Sequence, residues 1–250
     1  MTTRKRILIT GASSGLGEEM ARAFAAKGRD LALCARRGER LRRLHDDLLA
    51  AHPRIRVSVR ELDVNDHDAV FEVFNAFHDD LDGLDRVIVN AGLGKGQPIG
   101  TGRFHANRQT AETNFVAALA QCEAAVEIFR RQRSGHLVVV SSISAMRGLP
   151  RNLTTYAASK AGVAALAEGI RAELLDTPIA VTTLYPAYIE SEMTAAAGRT
   201  PLMVSTRKGV RAMVKAIEAE RVQAKVPAWP GLPLAAAMRA LPLRLVAKVS

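Results

Sequence analysis

Three residue types in one stretch could move a proton: the hydroxyl of Ser142, the phenol of Tyr156 and the amine of Lys160. Tyr156 and Lys160 are four apart, so on a helix their side chains share one face. An ammonium beside a phenol favours the phenolate, because an opposite charge stabilises the ionised form. Free tyrosine titrates near pH ~10, and bringing it to neutrality takes about 4 kcal/mol. One lysine at a wet surface cannot supply that, so a second positive group and a dry cleft are needed.

The elements that must hold this trio are visible around it. Leu137-Val138-Val139-Val140 is an unbroken apolar run, as a strand buried on both faces requires. Ser142 follows its end, and an apolar-periodic helix runs from about Ala157 to Leu175, with Tyr156 and Lys160 at its start. The chain opens in a similar way. The apolar strand 6–10 enters Gly11-Ala12-Ser13-Ser14-Gly15-Leu16-Gly17, and a helical pattern continues to Lys27. Strand, glycine turn and helix make the setting of a dinucleotide site. Gly11 permits the sharp turn, Gly15 lets backbone approach a pyrophosphate, and Gly17 allows helix and strand to pack closely. The helix N-terminus then presents free N–H groups to phosphate. An ordinary glycine-rich turn is the alternative.

Tyr156-x-x-x-Lys160 with Ser142 upstream, joined to Thr10-Gly11-x-x-x-Gly15-x-Gly17, strongly resembles the short-chain dehydrogenase/reductase family. The likeness covers about residues 5–226. It implies an α/β fold: a three-layer, doubly wound Rossmann domain with about seven parallel strands, and an enzyme interconverting a ketone or aldehyde and an alcohol by hydride transfer. Tyr156 would be the general acid/base, Ser142 would stabilise the developing oxyanion, and Lys160 would tune the phenol and bind the nicotinamide ribose. Asn114, in a predicted helix from 107 to 131, would hold a relay water against Lys160 through its side chain and a helix distortion. The 14-residue spacing from Ser142 to Tyr156 is one longer than usual, which keeps Ser141 and Ser144 as alternatives. A non-catalytic dinucleotide sensor on the same fold is the second functional reading, and epimerisation or dehydration a third.

The rest of the binding site follows in chain order. After the second strand, 30–35, an acid would select NAD by bonding the ribose hydroxyls. Here Arg36 and Arg37 follow instead, and a guanidinium fork suits a phosphate. NADP is therefore expected over NAD, with Arg36 the first candidate and Arg37 and Ser13 beside it. Arg40, Arg42 and Arg43 read as the solvated face of the next helix. A third strand spans about 54–62. The resemblance places Asp63 against the adenine amino group and Val64 on its ring, although Asp63 also suits a helix cap. The fourth strand, 84–89, leads into Asn90-Ala91-Gly92, which matches the family's cleft-lining element, with Val89 where asparagine is usual. After a sixth strand, Pro186, Ile189 and Ser191 match positions that contact the nicotinamide carboxamide and phosphates, and Ala187 replaces a glycine. The stretch 192–204 corresponds to a substrate-covering lid.

The 250 residues are 48% hydrophobic, which suits one domain, here 1–226. No apolar run is long enough to span a membrane, and the N-terminus lacks a signal-peptide core. Cys34 and Cys122 show no paired spacing and read as reduced packing residues of a cytoplasmic protein. The formal charge is +10, but the arginines are dispersed and aromatics make up only 4%, so nucleic acid is not the expected partner. The six histidines show no ligand spacing, so no metal is expected. The substrate is a small carbonyl compound or alcohol, lipophilic if the apolar lid and tail line its pocket, and the family commonly forms dimers or tetramers. The tail 227–250 carries Arg239, Arg244 and Lys248, no acids, and much apolar surface. It suits a subunit interface, a membrane-surface helix that makes the protein peripheral, or a cover over its own substrate cleft.

Overall fold

The apolar runs become a single parallel sheet in the computed structural model, which describes residues 3–192 and 202–249. The strands are β1 (Arg6–Thr10), β2 (Asp30–Ala35), β3 (Val57–Glu61), β4 (Arg86–Val89), β5 (Gly135–Val140), β6 (Ile179–Pro186) and β7 (Gln223–Val226). Their order is β3-β2-β1-β4-β5-β6-β7, all parallel. The winding reverses between β1 and β4, and a doubly wound sheet opens its ligand crevice at that point. The protein is a Rossmann-type α/β fold of seven strands.

Alternation along β1 shows why both faces are covered. Ile7 and Ile9 pack with α1 (Gly15–Ala25), α2 (Gly38–Ala51) and α7 (Thr206–Glu218), whereas Leu8 points to α3 (His67–Leu81), α5 (Ala117–Gln132) and α6 (Thr154–Glu173). Two phenylalanines of α3, Phe74 and Phe77, are fully buried. Each such ring contributes about 2–3 kcal/mol of hydrophobic stabilisation.

Two elements differ from expectation. The third strand begins at Val57 rather than 54, because His52 to Ile55 closes a turn after α2 through the Ile55 N–H to His52 carbonyl bond. The helix expected from 107 to 131 starts earlier, as α4 (Phe104–Ala111), and the distortion that the resemblance implied at Asn114 takes the form of a π-helical turn, Glu112–Val116, before α5. That extra residue per turn swings Thr113 and Asn114 into the interior.

The tail folds into α8 (Ala228–Ala240) and α9 (Leu243–Val249). Ala235, Met238 and Val246 bury themselves against Ile143, Leu149 and Ala157, behind the turn that bears Ser142. The Arg147 guanidinium donates to the carbonyls of Met238, Arg239 and Leu241, satisfying the orphan acceptors at the end of α8. Among the described residues, no helix is long and apolar enough to cross a membrane. The expected lid lies largely outside the described residues, at 193–201.

At the opposite end of the sheet, Arg86 is buried and donates to His136 Nδ1 at 2.8 Å and to Glu218 at 2.9 Å. Burial beside this cation pushes the His136 imidazole well below its ordinary range, so it stays neutral.

Candidate active site

Gly11 to Gly17 joins β1 to α1 with backbone that side chains would obstruct. Gly11 sits at φ +66°, and a Cβ at Gly17 would lie 2.3 Å from the Gly11 carbonyl oxygen. Ser14 precedes α1 without capping it, because its hydroxyl accepts from Arg37. Thr10 anchors the turn to the next strand. Its hydroxyl accepts from the N–H groups of Asn90 and Ala91 at 3.0 and 3.1 Å, and the Asn90 amide donates back to the Thr10 carbonyl at 2.9 Å.

A cavity of about 590 Å³ opens over the carboxyl ends of β1, β2, β4, β5 and β6. The structure brings Gly11, Ser13, Ser14, Gly15, Leu16 and Gly17 together on one wall of it. Arg36, Arg37, Asp63 and Val64 lie at one end, and Asn90, Ala91, Gly92, Ser142, Tyr156, Lys160, Pro186, Ile189 and Ser191 complete the lining. Asn114 alone among the predicted residues stands behind the wall, buried on the π turn. Its Oδ1 accepts from the Leu93 N–H at 2.7 Å, and its amide donates to the Leu93 carbonyl at 2.9 Å and to Ser159 at 3.2 Å.

The serines separate by geometry. Ser142 lines the cavity with Tyr156 and its hydroxyl accepts from the Ser144 N–H at 3.1 Å, whereas Ser141 donates to the Lys160 carbonyl at 2.7 Å and so is turned to the backbone. Burial pushes the Tyr156 phenol up, and the Ser142 side chain offsets part of that rise. The lowering expected from Lys160 is therefore absent in the free cleft. Lys160 donates to the Val140 carbonyl at 2.8 Å, and burial lowers its amine to about 8. Each group is held closer to its neutral form, as desolvation demands.

Three arginine and acid assignments change. Arg37, not Arg36, is pinned at the cleft: it donates to Ser13 at 3.1 Å and Ser14, and pairs with Glu192 at 2.9 Å. Arg36 instead faces Asp63 at 3.9 Å. Arg40, expected merely to solvate α2, reaches the same Glu192 at 2.5 Å. Asp63 does not cap α3. Asp66 does, accepting from the Ala69 N–H, while Asp63 accepts from the backbone and side chain of Asn65. Ala187 replaces the usual glycine without a left-handed φ, and its N–H donates to the Val226 carbonyl at 2.9 Å. Glu192 and Thr113 also line the cavity and were not foreseen. Nothing in the local pattern around Glu192 marks it, since its partners lie about 150 residues away.

The family model described as short chain dehydrogenase matches residues 5–202. The chain belongs to the short-chain dehydrogenase/reductase family. This member is 56% identical over 243 residues to an uncharacterized oxidoreductase of Mycobacterium tuberculosis, covering 97% of this chain and 96% of that one. Its fold is similar to levodione reductase, with TM-score 0.81, 24% identity and coverage of 89% of this chain and 95% of that one. It is also similar to an alcohol dehydrogenase from Thermococcus sibiricus complexed with 5-hydroxy-NADP, with TM-score 0.77, 25% identity and coverage of 88% and 94%. The protein is thus an enzyme of the oxidoreductase class that binds a nicotinamide dinucleotide and acts on small molecules, which does not favour the sensor reading. The site fits that dinucleotide on its own terms. The loop lacks the Cβ atoms that would fill the cradle, and the start of α1 is left open by Ser14.

Proposed function

We propose that this family member is an NADP-dependent oxidoreductase that interconverts a ketone or aldehyde and an alcohol, with Tyr156 as general acid/base. The observation that carries the reading is the convergence of Ser142, Tyr156 and buried Lys160 on the cavity that the glycine loop walls. Gly11, Gly15, Leu16 and Gly17 would take the pyrophosphate, with Ser13, Ser14, Arg37 and Arg36 toward the 2′-phosphate. Asp63 and Val64 would meet the adenine; Asn90, Ala91 and Gly92 the ribose side of the cleft; Pro186, Ile189 and Ser191 the nicotinamide. NADPH, when bound, supplies the hydride.

The side chains do the proton chemistry. In reduction Tyr156, kept protonated by burial, gives its proton to the carbonyl oxygen, while the Ser142 hydroxyl stabilises the charge that develops there. Lys160 supplies positive charge behind the phenol and would bind the nicotinamide ribose. Asn114 fixes the Leu93 loop and Ser159 beside that amine, where a relay water would stand. Residues 1–226 form the catalytic domain. The 227–250 tail keeps Trp229, Leu232, Leu243 and Leu245 exposed, an apolar surface that would suit a second copy in a homodimer or homotetramer, or a membrane surface. The free, buried thiols of Cys34 and Cys122 suit the cytoplasm, and the substrate is a lipophilic carbonyl compound or alcohol.

The test is Tyr156→Phe. It removes the proton donor and leaves the ring, so NADPH consumption across a ketone panel should vanish while NADPH binding stays within about two-fold. Full turnover by this variant would refute the mechanism.

A further inference from the structure

The Arg37 and Arg40 guanidiniums already hold an anion. Glu192, which follows the nicotinamide-side residues of β6, reaches across the cleft mouth to the adenine-ribose end. There it pairs through Oε2 with Arg37 at 2.9 Å and through Oε1 with Arg40 at 2.5 Å. Arg37 is simultaneously fixed on Ser13 and Ser14 at the head of the glycine loop. Two guanidiniums converging on one carboxylate, one of them fixed from behind by two hydroxyls, have the donor set of a phosphate site, with the carboxylate as its present occupant. The two arginines hold the Glu192 carboxyl at about 2, so no physiological proton can neutralise it.

We propose that Glu192 is the resident anion of the 2′-phosphate subsite, holding Arg37 and Arg40 until a 2′-phosphate displaces it and thereby limiting how strongly the cleft discriminates NADP from NAD. This rests on the NADP reading above. The phosphate does not enter an empty cationic site; it exchanges with a carboxylate and must also tolerate that carboxylate nearby. A cofactor with a free 2′-hydroxyl makes no such exchange. Glu192 is therefore a specificity-determining residue that acts by competition. Its side chain is half-exposed, so the contest is screened by salt.

The experiment titrates adenosine 2′,5′-bisphosphate and adenosine 5′-monophosphate into wild-type protein and into Glu192→Gln, a surface change that keeps the size and hydrogen-bonding shape of the side chain. Glu192→Gln should bind the bisphosphate about three- to ten-fold more tightly, the scale of one or two exposed ion pairs, and the monophosphate within about two-fold. The gain should shrink as salt is raised. Unchanged or weaker bisphosphate binding, or equal tightening of both nucleotides, would overturn the inference. The wild-type ratio tests the NADP reading separately: equal affinity for the two nucleotides defeats that reading, yet a bisphosphate-specific gain in Glu192→Gln would still uphold the competition.

Discussion

Replacing Thr10 by valine removes one oxygen and almost no volume. That oxygen is fully buried, accepts from the Asn90 and Ala91 N–H groups, and donates to the Ile88 carbonyl at 3.4 Å. Valine keeps the β-branched shape a strand end favours, so packing is preserved. What is lost is the acceptor for two backbone donors between β1 and β4. Leaving a buried donor unpaired costs ~1–3 kcal/mol. Both N–H groups belong to partly accessible residues at the cavity wall, so the low end applies to each, and the sum is about 2–3 kcal/mol. For a chain of this size that corresponds to a fall in Tm of about 4–12 °C. Urea unfolding of wild type, Thr10→Val and Thr10→Ser checks it. Serine retains the hydroxyl and should lose only about 1 kcal/mol for the methyl group. If valine destabilises by less than about 0.5 kcal/mol, or by no more than serine, the Thr10 clamp does not hold the turn.

Two further outcomes concern the chemistry. Lys160 is brought to about 8 by burial, so its amine is charged below that pH and neutral above it. In the reduction direction kcat/KM, which reports the free enzyme, should fall about ten-fold per pH unit above pH 8, and Lys160→Arg should lose this limb whatever its absolute rate. A wild-type profile flat to pH 10 would contradict this. Ser142→Ala should lower kcat by about 10²–10³, whereas Ser141→Ala, which loses only a bond to the Lys160 carbonyl, should change kcat little. A larger loss at Ser141 would reverse the assignment.

Much of this architecture was legible because its signals are local. The strand limits 6–10 and 30–35 follow from apolar runs bounded by Thr10 and Arg36, and the glycine spacing places the turn and helix directly. The π turn at Glu112–Val116 left no periodic trace. The family resemblance, through the helix distortion it implies at Asn114, pointed to it, and the partners that hold Asn114, Leu93 and Ser159, are tertiary. The individual contacts of the arginines after β2 carry no local signal. Which guanidinium turns inward depends on Glu192, contributed from the far side of the sheet. The direction at Tyr156 was misjudged for a related reason. A four-residue spacing shows that Lys160 is near, but not that its amine would be spent on the Val140 carbonyl while burial dominates. Arg86 looked like an ordinary strand position, yet it is the largest fully buried side chain.

The packing of α8 and α9 behind the serine turn ties distant parts of the chain to one another. The turn at Ile143 has its apolar backing in Ala235, Met238 and Val246. None of those three lines the cavity. A cavity-forming change at Met238 therefore loosens the Ser142 turn from behind, without touching a residue on the cleft wall.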